Sequence, residues 1–323
     1  MKRRVSDEAT KCWVTGMRDA FSDALYAIAR RDPRVILVTS DTGAVCHDDF
    51  KAEIPRQYLN VGIAEQNMIG VGAGLAMAGH IVYTYAIVPF ATMRCYEQIR
   101  VDLCCMGRLP VTVVGIGAGF DYNTLGPTHH GTEDIALMRT LPGMTILSPS
   151  DSVLAAACAR ISYETPGPKY VRLDRVGLPL IYPEDATDFA EGLTHLRKGD
   201  DVCIVATGRM VMRALEVADA LARKGIAVSV VDLYRVKPVN VKRLLEIMRA
   251  SKRVATIEEH FLTGGIGSLV AEIMADENAC LPQKRFGLPD CFCREYGPRE
   301  HLHSLFQLDL PSIAHGIADW VGT

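Results

Sequence analysis

Apolar positions along this chain fall into two patterns that alternate. Short unbroken apolar runs, such as RVILVT over 34–39, fit strands buried on both faces of a parallel sheet. Between them, apolar residues recur at helical spacing, as at Phe21, Leu25, Ile28 and Ala29 in a segment that ends before Pro33. The first half of the chain predicts a helix over 16–31 and strands over 34–39, 80–88, 110–116, 144–147 and 169–173. Helices are expected between them at 65–77, 92–106 and 151–163. Strand and helix in alternation argue for a doubly wound α/β domain, with Ser40 and Asp41 at the C-terminal end of the first strand, where such sheets receive ligands.

A polar, proline-containing connection follows, docked by Leu178, Leu180 and Ile181. A second, smaller doubly wound α/β unit then opens, with strands expected at 202–206, 227–233 and 253–257 and helices at 210–224 and 241–250. Gly264, Gly265 and Gly267 introduce a further helix through Met274. The expected organisation is a charged tail over 1–15, a first domain over 16–180, a linker over 181–195 and a second domain over 196–323.

Composition narrows the picture without adding chemistry. With 323 residues, half of them apolar, there is material for two cores. A net charge of −3 points to neither nucleic acid nor a membrane surface. The low-charge stretch from Met68 to Met93 is broken by four glycines and Pro89, so it reads as buried helix, turn and strand, not as a membrane span. The ten cysteines are scattered without CxxC spacing and read as reduced thiols of a cytoplasmic protein, Cys291 and Cys293 alternating along one strand face.

Two segments carry candidate chemistry. In NVGIAEQNMIGVGAGLAMAG, Glu65 stands among small and apolar residues at a helix start, where an acid is also favoured simply by the helix dipole. In LGPTHHGTEDIALMR, His129 and His130 share a Gly-Pro loop; adjacent histidines point in different directions, so a metal site from these two alone is not expected. One of them could face a ligand, or both could pack the loop.

Together, GIAEQN, GPTHHGTEDIALMR, SPSD and YVRLDR resemble the pyrimidine-binding domain of the transketolase family, in the family's order. The segments TGRMVMRALEVADAL, VDLYRVKP, IEEH and GGIGSLVAEI resemble that family's C-terminal domain. The resemblance implies a beta-type chain of a split transketolase, dependent on thiamine diphosphate and moving a two-carbon ketol unit from a ketose to an aldehyde. The family's diphosphate-binding GDG segment does not occur here, so the resemblance assigns the Mg2+ or Ca2+ ligands to an alpha-type partner subunit in an α2β2 assembly. It implies that Glu65 bonds the aminopyrimidine ring and that Phe90 lies against it, with Ile63 and Asp41 near the cofactor. Tyr85 and Tyr96 are alternatives for the aromatic face, and Asp41 could equally cap a helix.

The resemblance further assigns His129 to the substrate oxygen, and His130, Arg175 and Arg18 to the substrate. Arg172 or Arg175 could instead pair with an acid. Three positions depart from the family: Gly117 and Leu125 stand where it has a histidine and an aspartate, and Val45 near its phosphate-contacting serine. The implied substrate pocket is therefore altered while cofactor activation is retained. The beta chain of the 2-oxo acid dehydrogenases, or a non-catalytic partner of a thiamine enzyme, remain the other readings. The glycines at 264–267 could bind an anion or serve packing, and Glu258, Glu259 and His260 receive no role.

Overall fold

The computed structural model describes residues 16–322, and the tail expected over 1–15 lies outside them. The first half of the chain forms strands β1 (Val35–Thr39), β2 (Tyr58–Asn60), β3 (Ile81–Ile87), β4 (Val111–Ile116), β5 (Thr145–Leu147) and β6 (Lys169–Leu173). The second half forms β7 (Thr194–Arg197), β8 (Val202–Ala206), β9 (Val228–Asp232), β10 (Arg235–Lys237), β11 (Arg253–Phe261) and β12 (Gln283–Leu288). Two sheets result, ordered β10-β5-β6-β4-β3-β1-β2 and β12-β11-β8-β9-β7. Only the edge strands β10 and β7 run antiparallel to their neighbours.

Every residue of β1, β4, β6 and β8 is buried, as expected of strands covered on both faces. The helices Met17–Ala29 and Ser152–Glu164 cover one face of the first sheet through Phe21, Leu25, Leu154 and Cys158. Helices Glu65–Met77 and Asp134–Arg139 cover the other through Met68, Ile69, Ile135 and Met138. The second sheet is likewise covered on one face by helix Met210–Ala222 and on the other by Val241–Arg249 and Ile266–Asp276, so both units are doubly wound α/β.

The units are stitched together. β10 follows β9 of the second sheet yet pairs with β5 of the first, Arg235 opposite Leu147 and Lys237 opposite Ile146. Lys237 Nζ donates to the carbonyls of Arg139 and Leu141 at 2.7 and 2.6 Å. In the connecting segment, Asp151 accepts the backbone N–H groups of Ile181 and Tyr182 while also capping helix Ser152–Glu164.

Three expectations need correction. The helix expected over 92–106 is broken into Val88–Ala91, a turn, Tyr96–Gln98 and a π-helical stretch Ile99–Cys105. Pro89 sits in the first of these turns, where its missing N–H costs nothing, and a wider i→i+5 register takes over downstream. Cys291 and Cys293 lie in irregular chain, not a strand. β11 runs four residues past the expected Ile257, because Glu258, Glu259 and His260 are buried by neighbours that arrive from elsewhere in the chain. Each cysteine among the described residues is free, and no helix there is long and apolar enough to cross a membrane.

Candidate active site

Glu65 is the first residue of helix Glu65–Met77, only 4% exposed, and lies where unpaired backbone N–H groups favour a negative charge. The turn before it is set by Gly62 at φ 76°, whose N–H is held by the Asn60 side chain at 2.9 Å. Ile63, in that turn, is 80% exposed. The setting of Glu65 is not wholly apolar: Arg94 Nη1 donates to its carboxylate at 2.7 Å. The same guanidinium lies over the ring of Phe90, 4.2 Å from its centroid.

The contacts continue in one line. Phe90 meets His129 edge to face at 5.1 Å, His129 meets Tyr122 at 5.9 Å, and Arg175 lies over Tyr122 at 4.5 Å. Glu65, Phe90, His129 and Arg175, chosen from sequence, are therefore joined through Arg94 and Tyr122, which were not. His129 Nδ1 shares a hydrogen bond with Thr128 Oγ1 at 2.9 Å. Burial, and then the charge of Arg94, lower the His129 pKa, favouring the neutral ring that can both donate and accept a proton. Arg18 pairs with Asp19 at 2.7 Å.

Other expectations separate from this line. His130 is 2% exposed, meets the Phe120 ring at 5.0 Å and leaves its Nε2 without a hydrogen-bond partner among the described residues, so it stands off the line rather than in it. Asp41 is exposed at the end of β1 with φ 58°, accepts from Asn60 Nδ2 at 2.9 Å, and caps no helix, since the next helical turn is capped by Ala44. Tyr85 is core, and Tyr96 bonds Thr140. Arg172 is buried against Asp134, leaving Arg175 as the arginine with an exposed guanidinium. The glycines at 264–267 serve packing: Glu258 takes the N–H groups of Ile266 and Gly267, and a Cβ at Gly265 would lie 1.9 Å from its Oε2. Burial pushes the Glu258 carboxyl up to about 8.

The histidine loop is closed at its base by paired backbone hydrogen bonds between Gly119 and Gly131, both 2.9 Å. The second domain grips it from behind. Arg299 donates to Ala118 O at 3.0 Å and pairs with Glu259 and Asp174, while His303 pairs with Glu259. Burial works against ionising Glu259, but Arg299 and His303 hold its carboxyl well below the ordinary range. Asn123 Nδ2 donates to Gly297 O at 2.6 Å, and Tyr296 lies so close to Gly126 that a Cβ there would meet its hydroxyl at 2.9 Å. Asp121 accepts the Arg175 N–H at 2.7 Å; burial and then Asp174 push its carboxyl up to about 6.

Arg94 was legible in principle, four residues after Phe90 in PFATMRCYEQIR. Nothing in the sequence around Arg299 links it to a loop some 180 positions earlier, which it reaches through the fold alone.

Comparison with known proteins accounts for both domains. Residues 15–181 match the transketolase pyrimidine binding domain, and residues 192–313 the transketolase C-terminal domain. The chain is 36% identical over 275 residues to one of the subunits of an apulose-4-phosphate transketolase of Phocaeicola vulgatus, covering 84% of this chain and 87% of that one. It is 35% identical over 307 residues to a 6-deoxy-6-sulfo-D-fructose transketolase subunit of Clostridium sp. (strain MSTE9), covering 94% of each. A solved split-gene transketolase, described as an inactive beta4 tetramer, superposes with a TM-score of 0.87 at 33% identity, over 95% of this chain and 98% of that one. The chain therefore belongs to the transketolase family, and its two domains are the family's pyrimidine-binding and C-terminal domains in the arrangement of its split-gene subunits.

Proposed function

We infer that this chain is the beta-type subunit of a split, thiamine-diphosphate-dependent transketolase that moves a two-carbon ketol unit from a ketose donor to an aldehyde acceptor. The observation that carries the reading is a buried acid and an aromatic ring bridged by one guanidinium, Glu65 and Phe90 joined through Arg94. Their fit to a flat nitrogen heterocycle has a direct indication. The Arg94 guanidinium, itself planar and N–H-bearing, bonds the carboxylate and lies over the ring at the same time.

When bound, thiamine diphosphate supplies a carbon nucleophile. The residues here would do the rest. Glu65 holds a proton at the pyrimidine ring nitrogen, and Phe90 supports the ring face, with Ile63 and Asp41 beside it. His129, neutral and within the same line, exchanges a proton with the substrate oxygen. Arg175, over the Tyr122 ring, and Arg18 offer guanidinium groups to an anionic substrate end. Phosphorylated or sulfonated sugars suit that end, in keeping with the names of the relatives.

The Mg2+ or Ca2+ and its ligands belong to an alpha-type partner in an α2β2 assembly. Free thiols fit a reducing cytoplasmic setting. The test is co-expression with that partner, followed by a donor and acceptor screen with thiamine diphosphate and magnesium. Ketol transfer that needs both chains is expected. Turnover of a 2-oxo acid with transfer to a lipoyl group would replace this reading with that of a dehydrogenase subunit.

A further inference from the structure

We propose that Tyr122 determines substrate choice: its ring is a fixed wall that limits how long a sugar chain fits between His129 and Arg175. The inference rests on the ketol-transfer reading above, with His129 at the reacting end and Arg175 at the anionic end.

The first observation is the absence of a side chain at Gly117. This residue directly follows β4 at φ 92°, and its N–H is held by Leu173 O at 2.9 Å. A Cβ there would lie 2.2 Å from Cε2 of Tyr122 and 2.4 Å from Cδ2. The ring edge therefore occupies the volume that any other residue at 117 would fill, and two positions are coupled: glycine at one admits the aromatic ring at the other.

The second observation is how the ring is held. His129 stands on one side at 5.9 Å, and the Arg175 guanidinium lies over it at 4.5 Å. The chain beneath is pinned, since the Asp121 carboxylate next to Tyr122 takes the Arg175 N–H at 2.7 Å. The ring can neither retreat into Gly117 nor swing past Arg175 without breaking these contacts, so it acts as a stiff boundary.

The third observation separates Tyr122 from an ordinary core tyrosine. Buried Tyr83, Tyr170 and Tyr182 each hydrogen-bond a partner, respectively Ser162, Asp134 and Asp232. The half-buried Tyr122 makes no side-chain hydrogen bond to any described residue; its partners are the faces of His129 and Arg175. A chain laid from His129 to Arg175 must pass this ring, and each added carbon has to find room against it.

The experiment uses the assembled two-subunit complex with erythrose, ribose and glucose phosphates as a series of lengthening acceptors. Both kcat/KM and calorimetric affinity are measured for wild type, Tyr122→Ala and Tyr122→Phe. Tyr122→Ala should raise the hexose-to-tetrose ratio of kcat/KM by about tenfold or more, the scale on which a pocket discriminates small changes in substrate size. Tyr122→Phe, which keeps the ring and reports on folding, should leave that ratio within about twofold of wild type. An equal loss for all three acceptors in Tyr122→Ala would overturn the proposal, since it would mark a merely structural ring. If wild type transfers no ketol unit while Tyr122→Ala still shifts the affinities toward longer sugars, the wall stands and the ketol-transfer reading falls. A wild-type complex that neither binds nor converts any of the three overturns both.

Discussion

The two ends of the contact line that runs from Glu65 to Arg175 are held in opposite ways. At one end, Glu65 is neutralised by a single arginine of its own domain, and that arginine is 44% exposed. At the other, the histidine loop is backed by Glu259, Asp174 and His303, all deeply buried, and by the largely buried Arg299, a set drawn from both domains. An ion pair with one partner in water holds weakly, because solvent can take the place of either group. A buried network holds firmly, because removing one member strands the others without water. The Glu65 end is thus built to exchange partners, and the histidine-loop end to stay put.

The contrast can be broken at either end. The largest effect is expected from Glu65→Gln, which keeps the side-chain shape but not the transferable proton. Ketol transfer by the assembled complex should fall by about 10²–10⁴-fold, the range for loss of general acid–base function, with little change in the denaturation midpoint. Steady-state kinetics alongside urea unfolding would check both halves of that statement. A variant of undiminished kcat would remove Glu65 from the chemistry.

Next comes Arg299→Met, which strands Glu259 and Asp174 in the interior. Breaking a buried charged network costs about 3–5 kcal/mol, to be read from denaturant unfolding. Amide exchange across the loop from Ala118 to Gly131 should quicken as well. If the loop exchanges as slowly as before, the second domain is not what holds it.

The smallest effect concerns pH. Asp121 has a folded pKa of about 6, above its ordinary value of 3.8. The folded state therefore binds this proton more tightly than the unfolded chain does. The stability it contributes is complete below pH 3.8 and is lost as pH rises through about 6. Relative to Asp121→Asn, the wild-type unfolding free energy should decline by up to about 3 kcal/mol between those limits. Unfolding curves at pH 4 and pH 7 would show the change, and parallel pH profiles for the two proteins would refute it.

Much of this was open to reading in one dimension. Where a segment is buried on both faces or spaced at helical period, pattern and structure coincide, as in helix Glu65–Met77 and strand Val202–Ala206. Glu65, Phe90, His129 and Arg175 could be selected because the motifs around them are local. What escaped is what depends on distant chain. Nothing around Arg235–Lys237 says that its neighbour is β5, and the triplet at 258–260 has no role in sequence until Ile266, Arg299 and Ala136 arrive to receive it. The break at Ile99–Cys105 was hidden for another reason: a π-turn keeps the apolar content of a helix and changes only its hydrogen-bond register. Which of His129 and His130 joins the line could not be read from sequence, because neighbouring identical residues in a loop give no cue as to which one turns inward.

The strand that crosses from the second unit into the first sheet has a practical corollary. A cut in the connection near residue 185 would not release two independent pieces. The upstream fragment would be left with the bare edge of β5, a ready template for self-association. Anyone wishing to shuffle these modules between enzymes would have to carry Arg235–Lys237 along with the domain it does not adjoin in sequence.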